Sequence, residues 1–108
     1  MDQLVDQPRA RLTVGTEPGG GLRLHLGGEL DIASLPDVEA ALTGVLTREP
    51  QPLQLDLADL DFLDSSGVAV LIRLANRFAP VRTTHTTEPV RRVLEALGLA
   101  DHLGVNGA

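Results

Sequence analysis

Residues 11–16 (RLTVGT) alternate apolar and polar side chains, and residues 22–27 (LRLHLG) do the same, which puts Leu22, Leu24 and Leu26 on one face of a strand. The turn-forming EPGGG between them joins the two as a β-hairpin. No GxGxxG pattern follows, so these glycines read as a flexible turn with no phosphate to cradle. Ser34 and Asp37 have capping-box-like spacing, and Pro36 suits the first turn of a helix. Leu35, Val38, Ala41, Leu42, Val45 and Leu46 then recur at helical spacing up to Glu49, and Pro50 and Pro52 stop the run. Residues 53–60 (LQLDLADL) alternate again, with Leu53, Leu55 and Leu57 to one side and Asp56 to the other. Two serines open a second helix, predicted over 66–79, that buries Leu71, Leu74, Ala75 and Phe78 and ends at Pro80. Residues 81–87 (VRTTHTT) have the β-branched content of a strand but little that is apolar. Pro89 opens a third helix with Val90, Val93, Leu94 and Leu97 on one face, Gly98 is placed to cap it, and a short last segment covers 102–105.

The predicted order is β, β, α, β, α, β, α. Strands alternating with helices pair in parallel through right-handed crossovers. The N-terminal hairpin makes the sheet mixed. The fold class is therefore α/β: a mixed sheet of four to five strands with helices packed against it. The predicted domain is 9–105, with a flexible N-terminal tail at 1–8 and a C-terminal tail at 106–108.

Composition sets what such a domain can do. A chain of 108 residues forms one domain and buries about two-thirds of the surface exposed when unfolded. Phe62 and Phe78 are its only aromatic residues, so the core is aliphatic. There is no cysteine, which excludes disulfides, thiolate metal sites and cysteine nucleophiles. All nine basic residues are arginine, which excludes the phosphate-binding lysine of a P-loop, the protein-kinase lysine and Schiff-base chemistry. A net charge of −6 points away from nucleic acid and anionic membranes and toward a basic protein surface. The longest apolar run, Val68 to Ile72, is far short of a membrane span, and MDQLVDQPRA lacks the pattern of a signal peptide. A soluble, cytoplasmic protein is expected.

The chemistry concentrates in DFLDSSGVAVLI, Asp61 to Ile72. A hydroxyl at the start of a helix meets unpaired N–H groups and the positive end of the macrodipole, a position that suits a phosphate. Asp56, Asp59, Asp61 and Asp64 crowd the same nine residues. A phosphoryl group on Ser65 or Ser66 would add about two negative charges to that surface, which reads as a switch more readily than as a catalytic centre. Ser65 also fits an N-cap, and the two roles coexist. Ser66 is the expected structural partner, and Gly67 supplies backbone freedom or lets another chain approach.

The acids of 56–64 serve either solubility or a basic partner; their spacing is not that of an EF-hand loop, so no metal site is expected. Glu29 and Asp31 follow two glycines taken to end a strand, and turn chemistry and partner contact stand equally there. His25, His85 and His102 have no ligand spacing and are expected to be isolated, and Arg91 and Arg92 to lie on a solvated face. No histidine is placed by sequence as a base for a serine nucleophile, so no catalytic residue is assigned.

Three segments carry a resemblance: GGELDIASLPDVEAAL (27–42), LQLDLADLDFLDSSGVAVLI (53–72) and EPVRRVLEALGL (88–99). Together they resemble the anti-sigma factor antagonists, small stand-alone STAS domains of bacteria, over roughly residues 10–104, with DSSG the most specific part. The resemblance implies a STAS-like fold and a regulatory phosphate on Ser65. It implies that an anti-sigma factor serine kinase is both the modifying enzyme and the binding partner, that a sigma factor is the indirect target, and that a serine phosphatase resets the switch. Asp31, Asp61, Asp64, Ser65, Ser66 and Gly67 form the implied partner face. The unphosphorylated protein captures the kinase and frees the sigma factor, and phosphorylation breaks the capture. No enzymatic activity, cofactor, metal, nucleic acid or membrane contact is expected. Within the family the alternatives are a STAS subunit of a lipid-transport ABC complex or a component of a stress-signalling scaffold; outside it, a small hydrolase. RTTHTT is more polar than the family's corresponding strand, which marks this edge as loosely held or shaped for a particular partner.

Overall fold

Leu22, Leu24 and Leu26 lie in the same core as Leu53, Leu55 and Leu57, none more than 2% exposed, in a computed structural model that describes residues 8–105. The elements are β1 (Ala10–Thr16), β2 (Leu22–Leu30), α1 (Leu35–Leu46), β3 (Leu53–Leu63), α2 (Ser65–Arg77), β4 (Val81–Thr86) and α3 (Glu88–Ala96). The sheet has four strands in the order β1-β2-β3-β4; β1 is antiparallel to β2 and the other pairs are parallel. Val105 adds an isolated parallel bridge to Thr83 at the β4 edge, the trace of a fifth strand.

A single cluster joins the leucines of the strands to Val38, Leu42 and Val45 of α1, Val68, Leu71 and Leu74 of α2, and Val90 and Leu94 of α3. Both parallel crossovers step the same way along the sheet, so right-handed connections set α1 and α2 on the same side. The other side carries Arg23, His25, Gln54, Asp56, Arg82 and His85 and takes no part in the core. β2 and β3 end together at Leu30 and Leu63, the carboxyl end of the sheet where open α/β folds place their sites.

Several boundaries differ from those expected. Gly27 and Gly28 do not end β2, which continues to Leu30; the pairing with β3 shifts register between His25 and Gly27 and again between Gly28 and Glu29. Each shift inserts a residue into β3, which re-phases that strand so that Leu57, Leu60 and Leu63 all turn inward. For the same reason Asp61 and Phe62 both face out. Gly28 has φ +88°, and a Cβ there would strike the Arg9 carbonyl.

The capping box at Ser34 does not form: its hydroxyl donates back to the Glu29 carbonyl (2.6 Å), and the Asp37 carboxylate accepts from Arg9 N (2.8 Å). α1 ends at Leu46, short of Glu49, and Ala41 is exposed. Phe78 lies beyond α2 in extended backbone yet is 1% exposed. Leu97, expected on the buried face of α3, is 56% exposed because the helix ends before it. Arg91 and Arg92 lie on the solvated face of α3, where Arg91 pairs with Glu88 and Glu95, and Arg92 with Glu88.

The polar strand β4 is held by its threonines. Thr83 is 2% exposed and its Oγ1 donates to the Leu103 carbonyl (2.7 Å). Thr84 donates to Leu55 O (3.2 Å), and Thr87, just past the strand, to Leu60 O (2.7 Å). A β-branched side chain that also satisfies a neighbouring carbonyl replaces the apolar contact expected of such a strand. The tails predicted at 1–8 and 106–108 fall, apart from Pro8, outside the described residues.

Candidate functional site

Two turns meet at the carboxyl end of the sheet. One leaves β2 and runs from Asp31 to Ser34; the other leaves β3 at Asp64 and becomes α2. Asp64 N donates to the last carbonyl of β2, Leu30 O (3.3 Å), so the turns lie side by side. The Asp64 carboxylate completes the junction. Oδ1 accepts from Ser66 N (2.8 Å) and Gly67 N (3.1 Å), and Oδ2 accepts from Ile32 N (3.2 Å) across the gap.

Asp64 is therefore the N-cap, and Ser65 is the first helical residue. This corrects the reading of Ser65 as the cap. It also corrects the picture of open helix-terminal amides, since a carboxylate already holds those of Ser66 and Gly67. Ser65 is exposed. Neither serine hydroxyl makes a hydrogen bond to another described residue. Gly67 is fully enclosed: a Cβ there would strike the Leu30 carbonyl oxygen and come within 2.8 Å of Leu63 Cβ. The close approach that this glycine permits is to its own β2, not to another chain.

On the first turn, Asp31 Oδ1 accepts from Ser34 N (2.9 Å), while Asp31 N donates to Ser34 Oγ (2.9 Å). The Arg9 guanidinium reaches both Glu29 (2.6 Å) and Asp31 (3.0 Å). Burial by itself would raise the Asp31 carboxyl, but the Ser34 N–H, the Arg9 charge and the Ser34 hydroxyl outweigh it and hold Asp31 below the ordinary carboxylate value. Turn chemistry thus accounts for the interactions of Asp31. Two apolar side chains stand out beside the serine, Ile32 at 72% and Phe62 at 50% exposure. The sequence reading passed over both. Their signal was weak: Ile32 is apolar inside a turn, and Phe62 cannot face inward if Leu63 beside it does.

The structure does not gather the acids of 56–64 at this site. An extended strand rises about 3.3 Å per residue, so Asp56 and Asp59 lie well down β3 from the turn. There they meet histidines expected to be isolated. His25 Nε2 is 2.7 Å from Asp59 Oδ2, and His85 Nδ1 is 3.7 Å from Asp56 Oδ1. Of that group Asp64 caps the serine helix, and Asp61 is exposed near the end of β3 before it. Among the described residues no cluster of three or more His, Cys, Asp or Glu side chains is placed to hold a metal ion. An open cleft of about 700 Å³ lies at the opposite end of the sheet, lined by residues such as Leu22, Leu53, Val81 and Arg82, and none of the serine-turn residues borders it. Among the described residues, no helix is long and apolar enough to cross a membrane.

A mixed four-stranded sheet with a serine turn at its carboxyl end defines a class of small α/β domain. The family model described as "Mlab, STAS domain" matches residues 15–105, and the chain belongs to the STAS domain family. It is 33% identical over 89 residues to the anti-sigma-F factor antagonist RsfA of Mycobacterium tuberculosis, a match covering 77% of this chain and 70% of that protein. It is 25% identical over 87 residues to an anti-sigma-B factor antagonist of Staphylococcus epidermidis, covering 77% and 81%. The crystal structure of an anti-sigma factor antagonist from Mycobacterium paratuberculosis superposes with a TM-score of 0.78 at 21% identity, covering 96% of this chain and 92% of that one. A protein of SpoIIAA-like fold from Shewanella loihica superposes with a TM-score of 0.54 at 13% identity, covering 87% and 80%.

Proposed function

We propose that this chain is an anti-sigma factor antagonist that acts by binding and has no catalytic activity of its own. Unphosphorylated, it captures an anti-sigma factor serine kinase through the face around Ser65 and so releases a sigma factor. Ser65 Oγ then attacks the γ-phosphorus of the kinase's ATP, the bond to the bridging oxygen breaks, ADP leaves, and the hydroxyl proton passes to a base of the kinase. The phosphoserine ends the capture, and a serine phosphatase restores it.

The observation that carries this reading is the exposed Ser65, whose hydroxyl makes no bond to the described residues, in a chain whose relatives are named anti-sigma factor antagonists. The carboxylate of Asp64 supports the direction of the switch. Because it occupies the amides of Ser66 and Gly67, a phosphate on Ser65 meets that carboxylate where free N–H groups would have welcomed it. About two added negative charges then face outward, and their bulk and the cost of stripping water from them disrupt a contact shaped around the neutral hydroxyl. Ile32 and Phe62 supply the apolar contact that a binding face needs, and Asp31, Asp61, Asp64 and Ser66 frame it, with Gly67 buried beneath, where it lets α2 close on β2. Neither histidine–aspartate pair lies at the serine, which supports an acceptor activated by the kinase's base over the nucleophile of a hydrolase.

The test begins with capture from host lysate by the unphosphorylated protein, with the partner identified by mass spectrometry. Incubation with that partner and Mg-ATP, followed by peptide mapping, should place phosphate on Ser65. Ser65→Ala should bind the kinase and resist modification, Ser65→Glu should bind at least about tenfold more weakly, and Ser66→Ala should still be modified at Ser65. Phosphate appearing only elsewhere, full binding by Ser65→Glu, or a transporter ATPase in place of the kinase would overturn the reading.

A further inference from the structure

β1 is an edge strand whose outer side is sealed at one end and open at the other. Residues of a strand in an antiparallel pair alternate between bonding their partner and pointing away from it. Glu17 N donates to Gly21 O (3.0 Å) and Arg9 O accepts from Glu29 N (2.8 Å), so the odd-numbered residues between them bond β2. The even-numbered residues Ala10, Leu12, Val14 and Thr16 therefore direct their backbone groups outward. Ala10 confirms the phase, since its N–H goes to the Asp37 carboxylate of α1 (3.3 Å). Beyond it, the outward groups of Leu12, Val14 and Thr16 have no backbone partner among the described residues.

Soluble proteins blunt such edges with proline, lysine, a bulge or a covering element. β1 has no proline or lysine, its register against β2 is regular from Ala10 to Thr16, and Val14 at its middle is 39% exposed. The strand is also self-complementary. A two-fold axis through Val14 sets Val14 against its copy, Leu12 against Thr16, and Arg11 against Glu17. All the outward backbone groups of Leu12, Val14 and Thr16 are then paired, and opposite charges meet on the polar side. An axis through Thr13 would instead pair Ala10 with Thr16 and break the contact of Ala10 with Asp37.

We propose that β1 is a homodimer interface, with two copies joined edge to edge in antiparallel register about Val14, so that the two sheets become one. The paired surface is small, so the dimer is a weak, concentration-dependent one.

Sedimentation velocity across a wide concentration range, with far-UV circular dichroism to confirm folding, tests both the interface and the register. The wild type should show a monomer–dimer equilibrium. Val14→Asp and Val14→Lys each place like charges across the axis and should weaken dimerisation by about tenfold or more. An equimolar mixture of the two should pair again, because residue 14 faces residue 14. Hydrogen exchange should show the amides of Leu12, Val14 and Thr16 protected only as dimer forms, while those of Thr13 and Gly15 are protected throughout. The proposal is overturned by a wild type that stays monomeric at millimolar concentration, by a dimer indifferent to both substitutions, or by a mixture that does not pair. Protection of Leu12, Val14 and Thr16 in the monomer, by residues 1–7 folded along the edge, overturns it as well.

Discussion

Asp64 holds three backbone amides with one carboxylate, two in its own helix and one in the neighbouring turn. Asp64→Ala should therefore cost about 1–2 kcal/mol, at the upper end for a lost N-cap, measured by urea denaturation. Gly67→Ala replaces a residue with a better helix former, yet it should also destabilise, by about 1–3 kcal/mol, because the new methyl collides with the Leu30 carbonyl. A Gly67→Ala protein as stable as wild type would mean that α2 does not lie so close to β2. Asp31 predicts a pH effect. Its folded carboxyl lies below the ordinary value, so the stability it contributes is complete above the unfolded carboxylate pKa of about 3.9 and is lost as pH falls through the lower, folded one. Asp31→Asn should remove that part of the acid limb from a series of denaturation curves, leaving the neutral-pH slope unchanged.

At the scale of elements, α2 contributes most of a buried face through Leu71 and Leu74, both 0% exposed. Truncating either to Ala should cost about 2–5 kcal/mol, whereas Leu97→Ala, on an exposed side chain, should stay within about 0.5 kcal/mol. Thr83→Val keeps the shape of β4 but leaves the Leu103 carbonyl without its donor, so about 1–2 kcal/mol should be lost, with local fraying of 99–105 visible in hydrogen exchange. These elements differ in how well the sequence announced them. Period-two leucines located β2 and the first half of β3, and helical spacing located α2, because burial on one face leaves a regular imprint. The second half of β3 was hidden because two register shifts break the period at Leu60 and Leu63. β4 looked weak because its stabilising contacts are threonine hydroxyls on distant carbonyls, which no local pattern records. The start of α2 was legible in DSSG, but the identity of its cap was not, since Asp64 and Ser65 are equally good caps until the backbone is known.

For the whole molecule, the net charge of −6 and the acids Asp61 and Asp64 shortly before Ser65 in the chain bear on the rate at which the proposed basic partner is found. Raising ionic strength should slow association with the proposed kinase partner more than it speeds dissociation, and Asp61→Asn should reproduce part of that loss in stopped-flow or surface-binding kinetics. Asp56→Asn and Asp59→Asn, down the strand and paired with histidines, should change the association rate less. An association rate indifferent to salt would leave the acids as ordinary surface. The two phenylalanines offer a further way to follow these events. Phe78 is sealed in the core and Phe62 stands out at the end of β3, and the chain has no other phenylalanine. Grown on fluorophenylalanine, the protein would give two fluorine resonances, one that shifts when a partner docks and one that shifts when the core opens. Occupancy of the face and integrity of the fold could then be read separately, in a single spectrum, from the same sample.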